Sequence, residues 1–208
     1  MRASASPRPF AAPVMIATLP ASLPIPECPL NYASSHQFTP DARQTLLAKE
    51  RGSAVTLTTN ELSAREEIRD LLHRYCKGID RKDWALVRSC FADDHVHRHS
   101  TFVGSPDEFI GFASAVLGTI PATHHTIGNL HFAFAPDGQS VETEANFVAY
   151  HFIEAGHTEG TPVPTGGKAT DWIVAGRYCD RMEKRDGRWL IVARQAHHDW
   201  ERVDPANV

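Results

Sequence analysis

The chain has 208 residues, of which 42% are hydrophobic and 22% are charged, and its formal net charge is −4. This composition predicts one globular domain with a core of its own. The small negative charge, without a run of basic residues, argues against a nucleic-acid partner. No apolar run is long enough to cross a bilayer, so no membrane partner is expected either.

The four cysteines lie far apart in the sequence, without a Cys-x-x-Cys pair, at Cys28, Cys76, Cys90 and Cys179. Such scattering favours reduced thiols over a disulfide framework or a zinc site. Since reduced thiols are typical of reducing compartments, the cysteines predict a cytoplasmic protein.

Residues 1–58 differ in composition from the rest of the chain. Prolines recur there among Ala and Ser, and neither a helical nor an alternating apolar period is present. We interpret residues 1–58 as a flexible extension rich in Pro and Ala. A short apolar run after Arg2 and Arg8 leaves a secretory leader as the alternative. The folded domain is predicted to span residues 59–208.

Three helices are predicted from apolar spacing and capping residues. The first begins near Leu62, where Ser63 and Glu66 have the spacing of a capping box. Asp83 is the predicted cap of a short second helix. Ser105, followed by a proline and with a glutamate at the third helical position, is the predicted cap of the third.

Alternating patterns predict strands in the second half of the chain. One short strand, His95–His99, precedes the third helix. Helices first and antiparallel strands last are typical of an α+β fold. The four long strands of the predicted meander cover residues 125–134, 141–153, 170–184 and 189–200.

Short motifs are spread along this domain, among them Gly78-Ile79-Asp80, Asp83-Trp84, Phe91-Ala92-Asp93-Asp94 and His124-His125-Thr126-Ile127-Gly128-Asn129. Together they resemble the SnoaL-like branch of the nuclear transport factor 2-like superfamily, over residues 61–202. The resemblance implies a cone, in which a curved antiparallel sheet packs against three N-terminal helices. Enzymes of this branch, which include dehydratases and a dehydrochlorinase, use an Asp–His dyad, so the resemblance implies no cofactor and no metal.

The resemblance also implies roles for individual residues. Asp80 matches the dyad aspartate, and His125 matches the dyad histidine through its spacing to the asparagine that ends the last motif. Tyr75 matches a pocket tyrosine that stands five residues before the aspartate in one dehydratase of the branch. A second tyrosine and an arginine of that pocket fall near His99 and His198, which are departures from that enzyme.

These residue types also make chemical sense without the resemblance. Histidine is the usual base at neutral pH, and an aspartate bonded to its other nitrogen stabilises the imidazolium. Tyr75 can donate a hydrogen bond to a leaving oxygen or an enolate. Because Asp80 follows the end of a helix, the helix dipole predicts a raised pKa for its carboxyl. The competing interpretations are a solvated loop for Asp80 and a structural core histidine for His125.

Histidine is frequent in this chain, with 12 residues. His95, His97 and His99 share one face of the predicted short strand. One interpretation is a zinc site that His125 or His198 completes.

A polar pocket wall is the interpretation that we favour for this cluster. It would contain His99 and one of His197 and His198, because strand alternation turns only one of those two inward. Phe112 and Trp172 are predicted to bind the substrate in the apolar part of the pocket, with ordinary core packing as the alternative. Four further histidines are interpreted as surface or structural residues: His73, His131, His151 and His157.

These observations predict a cofactor-independent lyase or isomerase that acts on a small hydrophobic cyclic molecule. The alternative is a non-catalytic ligand-binding or assembly module on the same fold. The long strands also carry many apolar residues, which predict an apolar outer face and therefore a homodimer or homotrimer. The residues behind this prediction are Val141, Phe147, Ile173, Val174 and Ile191.

Overall fold

The structure is a computed structural model that describes residues 56–157 and 160–206. The predicted flexible extension, residues 1–58, falls almost entirely outside this part of the chain. No helix within the described part is long and apolar enough to cross a membrane. The elements are α1 (Thr59–Arg81), α2 (Trp84–Arg88), β1 (Phe91–His99), β2 (Phe102–Gly104), α3 (Pro106–Leu117), β3 (Ala122–Phe134), β4 (Ser140–Ile153), β5 (Thr170–Arg185) and β6 (Arg188–Pro205).

Helix α1 begins earlier than predicted. Its N-cap is Thr58, whose hydroxyl accepts the N–H of Glu61 at 3.2 Å. The Glu61 carboxylate accepts the N–H of Thr58 at 2.8 Å, which completes a capping box. The predicted box at Ser63 and Glu66 is therefore wrong. Both boxes have the same spacing, and the earlier one lets more backbone hydrogen bonds form.

Helix α1 also ends later than predicted, so that Asp80 lies in its last turn. Lys82 closes the helix in the left-handed conformation, at φ 56°, and its N–H donates to the carbonyls of Gly78 and Ile79. Gly78 allows α1 and α2 to meet, because a Cβ at this position would lie 2.7 Å from Cγ2 of Val87.

Helix α3 begins as predicted. Ser105 and Glu108 form a capping box, and Pro106 occupies the first turn. The buried side of the helix includes Phe109 and Ala113. This side packs into the core that the helices share with the sheet.

The strands form one sheet in the order β2-β1-β6-β5-β4-β3. Strands β3 to β6 form the predicted antiparallel meander, whereas β1 runs parallel to β6. The parallel pair is possible because a long connection separates these two strands. Strand β2 was not predicted, and β1 begins at Phe91, so that it includes Asp93 and Asp94. The α+β fold with a curved sheet is therefore as predicted, but the sheet is not antiparallel throughout.

Shifts in strand register contribute to the curvature of the sheet. One lies between Ile127 and Leu130 on β3, and another lies between Ala175 and Gly176 on β5. Such bulges bend a strand and increase its twist. Gly176 is required here, because a Cβ would lie 1.9 Å from the carbonyl oxygen of His197.

The core lies between the helices and the inner face of the sheet. Val141, Phe147, Val174 and Ile191 all point into it and are at most 3% exposed. These residues were predicted to form an apolar outer face, and that prediction is wrong for them, because strand alternation turns them toward the helices. Of the five residues named for that face, only Ile173 lies on the outer side. A homodimer or homotrimer stays a prediction.

The cysteines agree only partly with the sequence analysis. Cys76 and Cys90 are free, as predicted, and both are buried. Cys179 is disulfide-bonded, which contradicts the prediction of reduced thiols at this position. The thiol pattern therefore gives no support to a cytoplasmic location, which stays a prediction.

Candidate active site

Asp80, in the last turn of α1, meets His125, near the start of β3. Nδ1 of His125 lies 2.7 Å from Oδ1 of Asp80. The backbone N–H of His125 donates to the two carboxylate oxygens at 3.2 and 3.0 Å, and the hydroxyl of Thr123 donates to Oδ1 at 3.1 Å. The structure therefore brings the two predicted dyad residues together, while their catalytic role stays a prediction.

The hydrogen bonds of Asp80 determine which nitrogen of His125 carries the proton. An ionised carboxylate can only accept, so Nδ1 of His125 must donate, and Nε2 keeps its lone pair. The side chains of His125 and Asp80 are only 7% and 18% exposed. The pair thus provides an oriented, largely shielded imidazole with one bare nitrogen.

The pKa of Asp80 differs from the prediction. Burial acts to raise the pKa of its carboxyl, but the hydrogen bonds from His125 and Thr123 outweigh burial, and the pKa is lowered. The predicted raised pKa is therefore wrong, because bonds to the charged form have a larger effect than the helix dipole and burial. An ionised Asp80 suits the stabilisation of an imidazolium better than proton abstraction of its own.

Two residues that the sequence analysis missed extend this network. The ammonium of Lys82 donates to Oγ1 of Thr123 at 2.9 Å, which leaves the hydroxyl proton of Thr123 for Asp80. Strand alternation could have indicated Thr123, since it stands two residues before His125 on the same face. The sequence holds no comparable signal for Lys82, whose position depends on the left-handed turn after α1.

A cavity of about 200 Å³ lies next to this pair, and His125 is part of its wall. The wall is mainly apolar. It includes Phe112 from α3 and Trp172 from β5, the two aromatic residues predicted to bind the substrate. Both are therefore in place to contact a bound molecule, and that contact stays a prediction. Further apolar wall residues are Ile79, Phe109, Phe147 and Val174.

Tyr75 lines the same cavity and is 2% exposed. Its ring packs edge-on against Phe91 and Tyr178, with ring centroids 5.9 and 5.8 Å apart. Burial raises the pKa of Tyr75 to about 12, although the charge of Arg194 acts in the other direction. The phenol therefore keeps its proton at neutral pH, as a hydrogen-bond donor requires.

A buried ion pair, which was not predicted, lies behind Tyr75. Arg194 and Asp180 are 1% and 0% exposed, and they share two hydrogen bonds of 2.7 Å. The guanidinium carbon lies 4.2 Å from the ring centroid of Tyr75 and 4.1 Å from that of Tyr178, a cation–π arrangement on both sides. The guanidinium of the pair therefore lies directly behind two tyrosines of the cavity wall, Tyr75 and Tyr178.

His95 and His97 point inward from β1 and are 2% and 0% exposed. Nε2 of His95 lies 3.3 Å from Nδ1 of His97, and the ring of His97 stacks on Phe109 at 3.6 Å. Burial, together with the charge of Arg194, lowers the pKa of His95 to about 3 and lowers that of His97 as well. Within residues 56–157 and 160–206, no group of three or more His, Cys, Asp or Glu side chains is placed to hold a metal ion.

His99 and His198 form a polar part of the cavity wall. Their Nε2 atoms lie 2.9 Å apart, and both rings line the cavity. As alternation required, only one of His197 and His198 turns inward, and it is His198. Burial lowers the pKa of His99 to about 3 and also lowers that of His198, so that both rings are neutral at neutral pH.

His151 is a further cavity residue, although the sequence analysis interpreted it as surface or structural. It is 4% exposed, its ring stacks on Trp172 at 4.3 Å, and it stands edge-on to His125 at 5.7 Å. Nδ1 of His151 lies 3.0 Å from the carbonyl oxygen of Trp172, so Nδ1 donates and Nε2 is an acceptor. Burial lowers its pKa to about 4. Its place on the same face of β4 as Phe147 and Ala149 could have indicated it.

A family model described as a SnoaL-like domain matches residues 60–195 of the chain. None of the curated proteins matches the chain. The matched range contains Asp80 and His125 but ends before His198.

Several solved structures resemble this fold. One, a protein of Novosphingobium aromaticivorans named as a candidate scytalone dehydratase, is 19% identical and has a TM-score of 0.59, over 73% of this chain and 96% of that one. A type 2 hexachlorocyclohexane dehydrochlorinase is 20% identical, with a TM-score of 0.59, over 72% and 93% of the two chains. A protein of unknown function with a cystatin-like fold, from Nostoc punctiforme, is 18% identical, with a TM-score of 0.51, over 70% and 96%. At these identities the likenesses show the fold alone.

Proposed function

The chain belongs to the SnoaL-like domain family, and from this premise we propose that it is a cofactor-independent lyase or isomerase. Its substrate is a small hydrophobic cyclic molecule with an acidic C–H bond. One observation carries the proposal: the hydrogen-bonded pair of Asp80 and His125 leaves a bare imidazole nitrogen in the wall of an apolar cavity.

Each residue has a defined part in the proposed reaction. Nε2 of His125 takes the proton, and the electron pair of the broken C–H bond forms a carbon–carbon double bond. In an elimination, the leaving group departs with its own bonding electrons; in an isomerisation, the proton returns at another carbon. Asp80 stabilises the imidazolium, and Tyr75 donates a hydrogen bond to the oxygen on which negative charge develops.

The names of two structural neighbours support an elimination as the first reaction to examine. A dehydratase removes water and a dehydrochlorinase removes hydrogen chloride, and both names describe the loss of a proton together with a leaving group. The shared step, removal of a proton from carbon, needs only a base and a stabilised imidazolium. That step can be measured before the natural substrate is known.

The test is the exchange of α-hydrogens for deuterium in small cyclic ketones, with 2-indanone as the first probe. NMR in deuterated buffer follows the loss of the α-proton signal. We expect the protein to accelerate exchange, and we expect Asp80→Asn and His125→Ala to lower the rate by about 10²- to 10⁴-fold. His124→Ala is the matched control, because His124 is exposed and points to the other face of β3. The proposal fails if both dyad variants exchange the probe as fast as the parent protein.

A non-catalytic binding module is the second candidate function. The same apolar wall favours it, because burial of a hydrophobic molecule in the cavity requires no dyad. Binding of the cyclic ketones without accelerated exchange, across several ring sizes, would support this candidate over the enzyme.

A further inference from the structure

The cavity has a second polar centre besides the dyad, formed by His99 and His198. Their Nε2 atoms, 2.9 Å apart, share one hydrogen bond. His198 lies exposed at the rim, whereas Nδ1 of His99 is fully buried and has no hydrogen-bond partner in the described part of the chain. The dyad is close enough for the charge of His125 to act on the pKa of His99.

The burial of His99 favours one of the two possible arrangements of ring protons on His99 and His198. If His198 donated from Nε2, His99 would carry its own proton on the buried Nδ1, as an N–H group without an acceptor. Buried N–H groups without a partner are rarer than buried acceptors without one. His99 therefore donates from Nε2, and His198 carries its proton on Nδ1, where the exposed ring can donate it to water or to a ligand.

We propose that His198, held in its Nδ1–H tautomer by His99, donates a hydrogen bond to a carbonyl oxygen, and that the substrates are cyclic ketones whose α-C–H faces His125. The inference rests on the proposed function, because it names the substrate class of the same cavity. The two centres are complementary: His125 presents a bare nitrogen to a C–H, and His198 presents an N–H to an oxygen.

The proposed step is balanced without any further reactant. The α-C–H bond breaks and its proton forms an N–H bond with Nε2 of His125. The electron pair of the C–H bond forms a C=C bond, and the π electrons of the carbonyl move onto oxygen. The enolate oxygen accepts the hydrogen bond from His198 in addition to the one from Tyr75, and His198 keeps its proton throughout. A neutral imidazole suits this part, because it polarises a carbonyl without a charge of its own.

The test compares the binding of 2-indanone with that of indane, the same ring system without the oxygen. Ligand-observed NMR titrations at neutral pH give both dissociation constants for each variant. We expect His198→Ala to lower the preference for the ketone over the hydrocarbon by about three- to tenfold, the effect of one lost hydrogen bond. His197→Ala is the matched control and should keep the preference, since His197 lies on the other face of β6.

His99 is a positioning residue in this scheme, so its variants have a different expected pattern. His99→Leu removes the donor to His198 and should weaken the preference for the ketone. His99→Gln should restore it, because the side-chain amide N–H can donate to Nε2 of His198. A structural role alone would make both variants weaken the binding of ketone and hydrocarbon equally.

The outcomes separate this inference from the proposed function. An unchanged ketone preference in His198→Ala, or equal losses for both ligands in all variants, overturns the inference whatever the exchange rates are. A lost preference in His198→Ala supports it. If that loss occurs while the protein does not accelerate deuterium exchange, the carbonyl site stands and the lyase or isomerase proposal fails.

Discussion

Two histidine groups face the interior of this protein: one is His125 with its partner Asp80, and the other is the pair of His95 and His97. Their neighbours give the two groups different properties. His125 donates from Nδ1 to the ionised carboxylate of Asp80 and keeps a bare Nε2 at the cavity. His95 and His97 instead pack among aromatic rings, and burial together with the positive charge of Arg194 lowers the pKa of both. His125 therefore lies beside the negative charge of Asp80, whereas the positive charge of Arg194 acts on His95 and His97.

The difference shows that burial and the sign of the neighbouring charge act together on these rings: at His95 and His97 burial is the larger cause of the lowered pKa, and the charge of Arg194 adds to it. An imidazolium at His125 would meet the carboxylate of Asp80, whereas one at His97 would meet the guanidinium of Arg194. The side of the core that contains α1 and β3 is therefore suited to proton transfer. The side that contains β1 and β6 holds neutral rings, which support the cavity and offer hydrogen bonds.

The largest expected effect concerns the dyad as one unit. We expect Asp80→Asn and His125→Ala each to lower the rate of deuterium exchange by about 10²- to 10⁴-fold. The double variant should be no slower than the slower single variant, because members of one catalytic unit are not additive. NMR exchange rates of the four proteins give this comparison. Multiplicative losses would mean that Asp80 and His125 act independently, and the contrast between the two histidine groups would lose its basis.

The second prediction addresses the charge on the other side of the core. Asp180→Asn leaves the buried guanidinium of Arg194 without its counter-charge and should lower the free energy of unfolding by about 3–5 kcal/mol. Asp94→Asn is the control, since Asp94 pairs with Arg185 on the surface. An exposed pair contributes at most about 1 kcal/mol. Urea unfolding followed by circular dichroism measures both, and equal losses would contradict the structural importance of the buried pair.

The third prediction follows from the lowered pKa values of the neutral histidines. The pKa is about 3 for His95 and about 4 for His151, against a reference value of 6.5. As pH falls below about 6.5, the unfolded chain binds protons that the folded chain does not, so stability is lost. Each such histidine contributes a slope of up to about 1.4 kcal/mol per pH unit, until the pH reaches its folded pKa.

Unfolding by urea at several pH values between 7 and about 4.5 measures this slope. His95→Phe should show a shallower slope than the parent protein, because one proton-binding difference is removed. His124→Ala should show the parent slope, since His124 is exposed. A parent stability that is flat over this range would mean that these rings are protonated in the folded state. The lowered pKa of Asp80 acts at lower pH, because its contribution is lost only as pH falls through the folded value.

The parts of this molecule that sequence alone could predict are those encoded by periodicity. Apolar residues three and four positions apart predicted helices α1 and α3. Alternating apolar and polar residues predicted the meander of β3 to β6, with errors of a few residues at the strand ends. The meeting of Asp80 and His125 could be predicted as well, from motifs that place them at a helix end and a strand start. Alternation also restricted the inward position to one of His197 and His198.

The missed features depend on contacts between elements that are distant in sequence. Asp180 and Arg194 occupy inward positions of β5 and β6, respectively, but a charged residue there is interpretable only when its partner is known. The pKa of Asp80 was predicted with the wrong sign, because its hydrogen bonds from Thr123 and His125 form only in the folded chain. Alternation along β4 could have indicated that His151 points inward, but its stacking on Trp172 and its edge-on contact with His125 form only in the folded chain.

The smallest expected effect on the chemistry concerns the outer face of the sheet, away from both histidine groups. Tyr150 and Trp200 are 49% and 54% exposed there. Tyr150 is paired with Ile173 across β4 and β5, and Trp200 is paired with Ala175 across β5 and β6, so the four form a neighbouring apolar group. We propose that this face forms the contact of the predicted homodimer or homotrimer.

Light scattering coupled to size exclusion tests this proposal. The parent protein should have the mass of two or three chains at micromolar concentration, and Trp200→Lys should shift it toward one chain, because a buried ammonium group in an apolar contact is costly. The rate of deuterium exchange should stay unchanged, since Trp200 lies on the face of the sheet opposite the cavity. A parent protein with the mass of a single chain contradicts the proposal. If the Trp200→Lys variant assembles like the parent protein, the contact between subunits lies elsewhere on the surface. If the variant dissociates and also loses exchange activity, the outer face of the sheet is coupled to the cavity on the inner face.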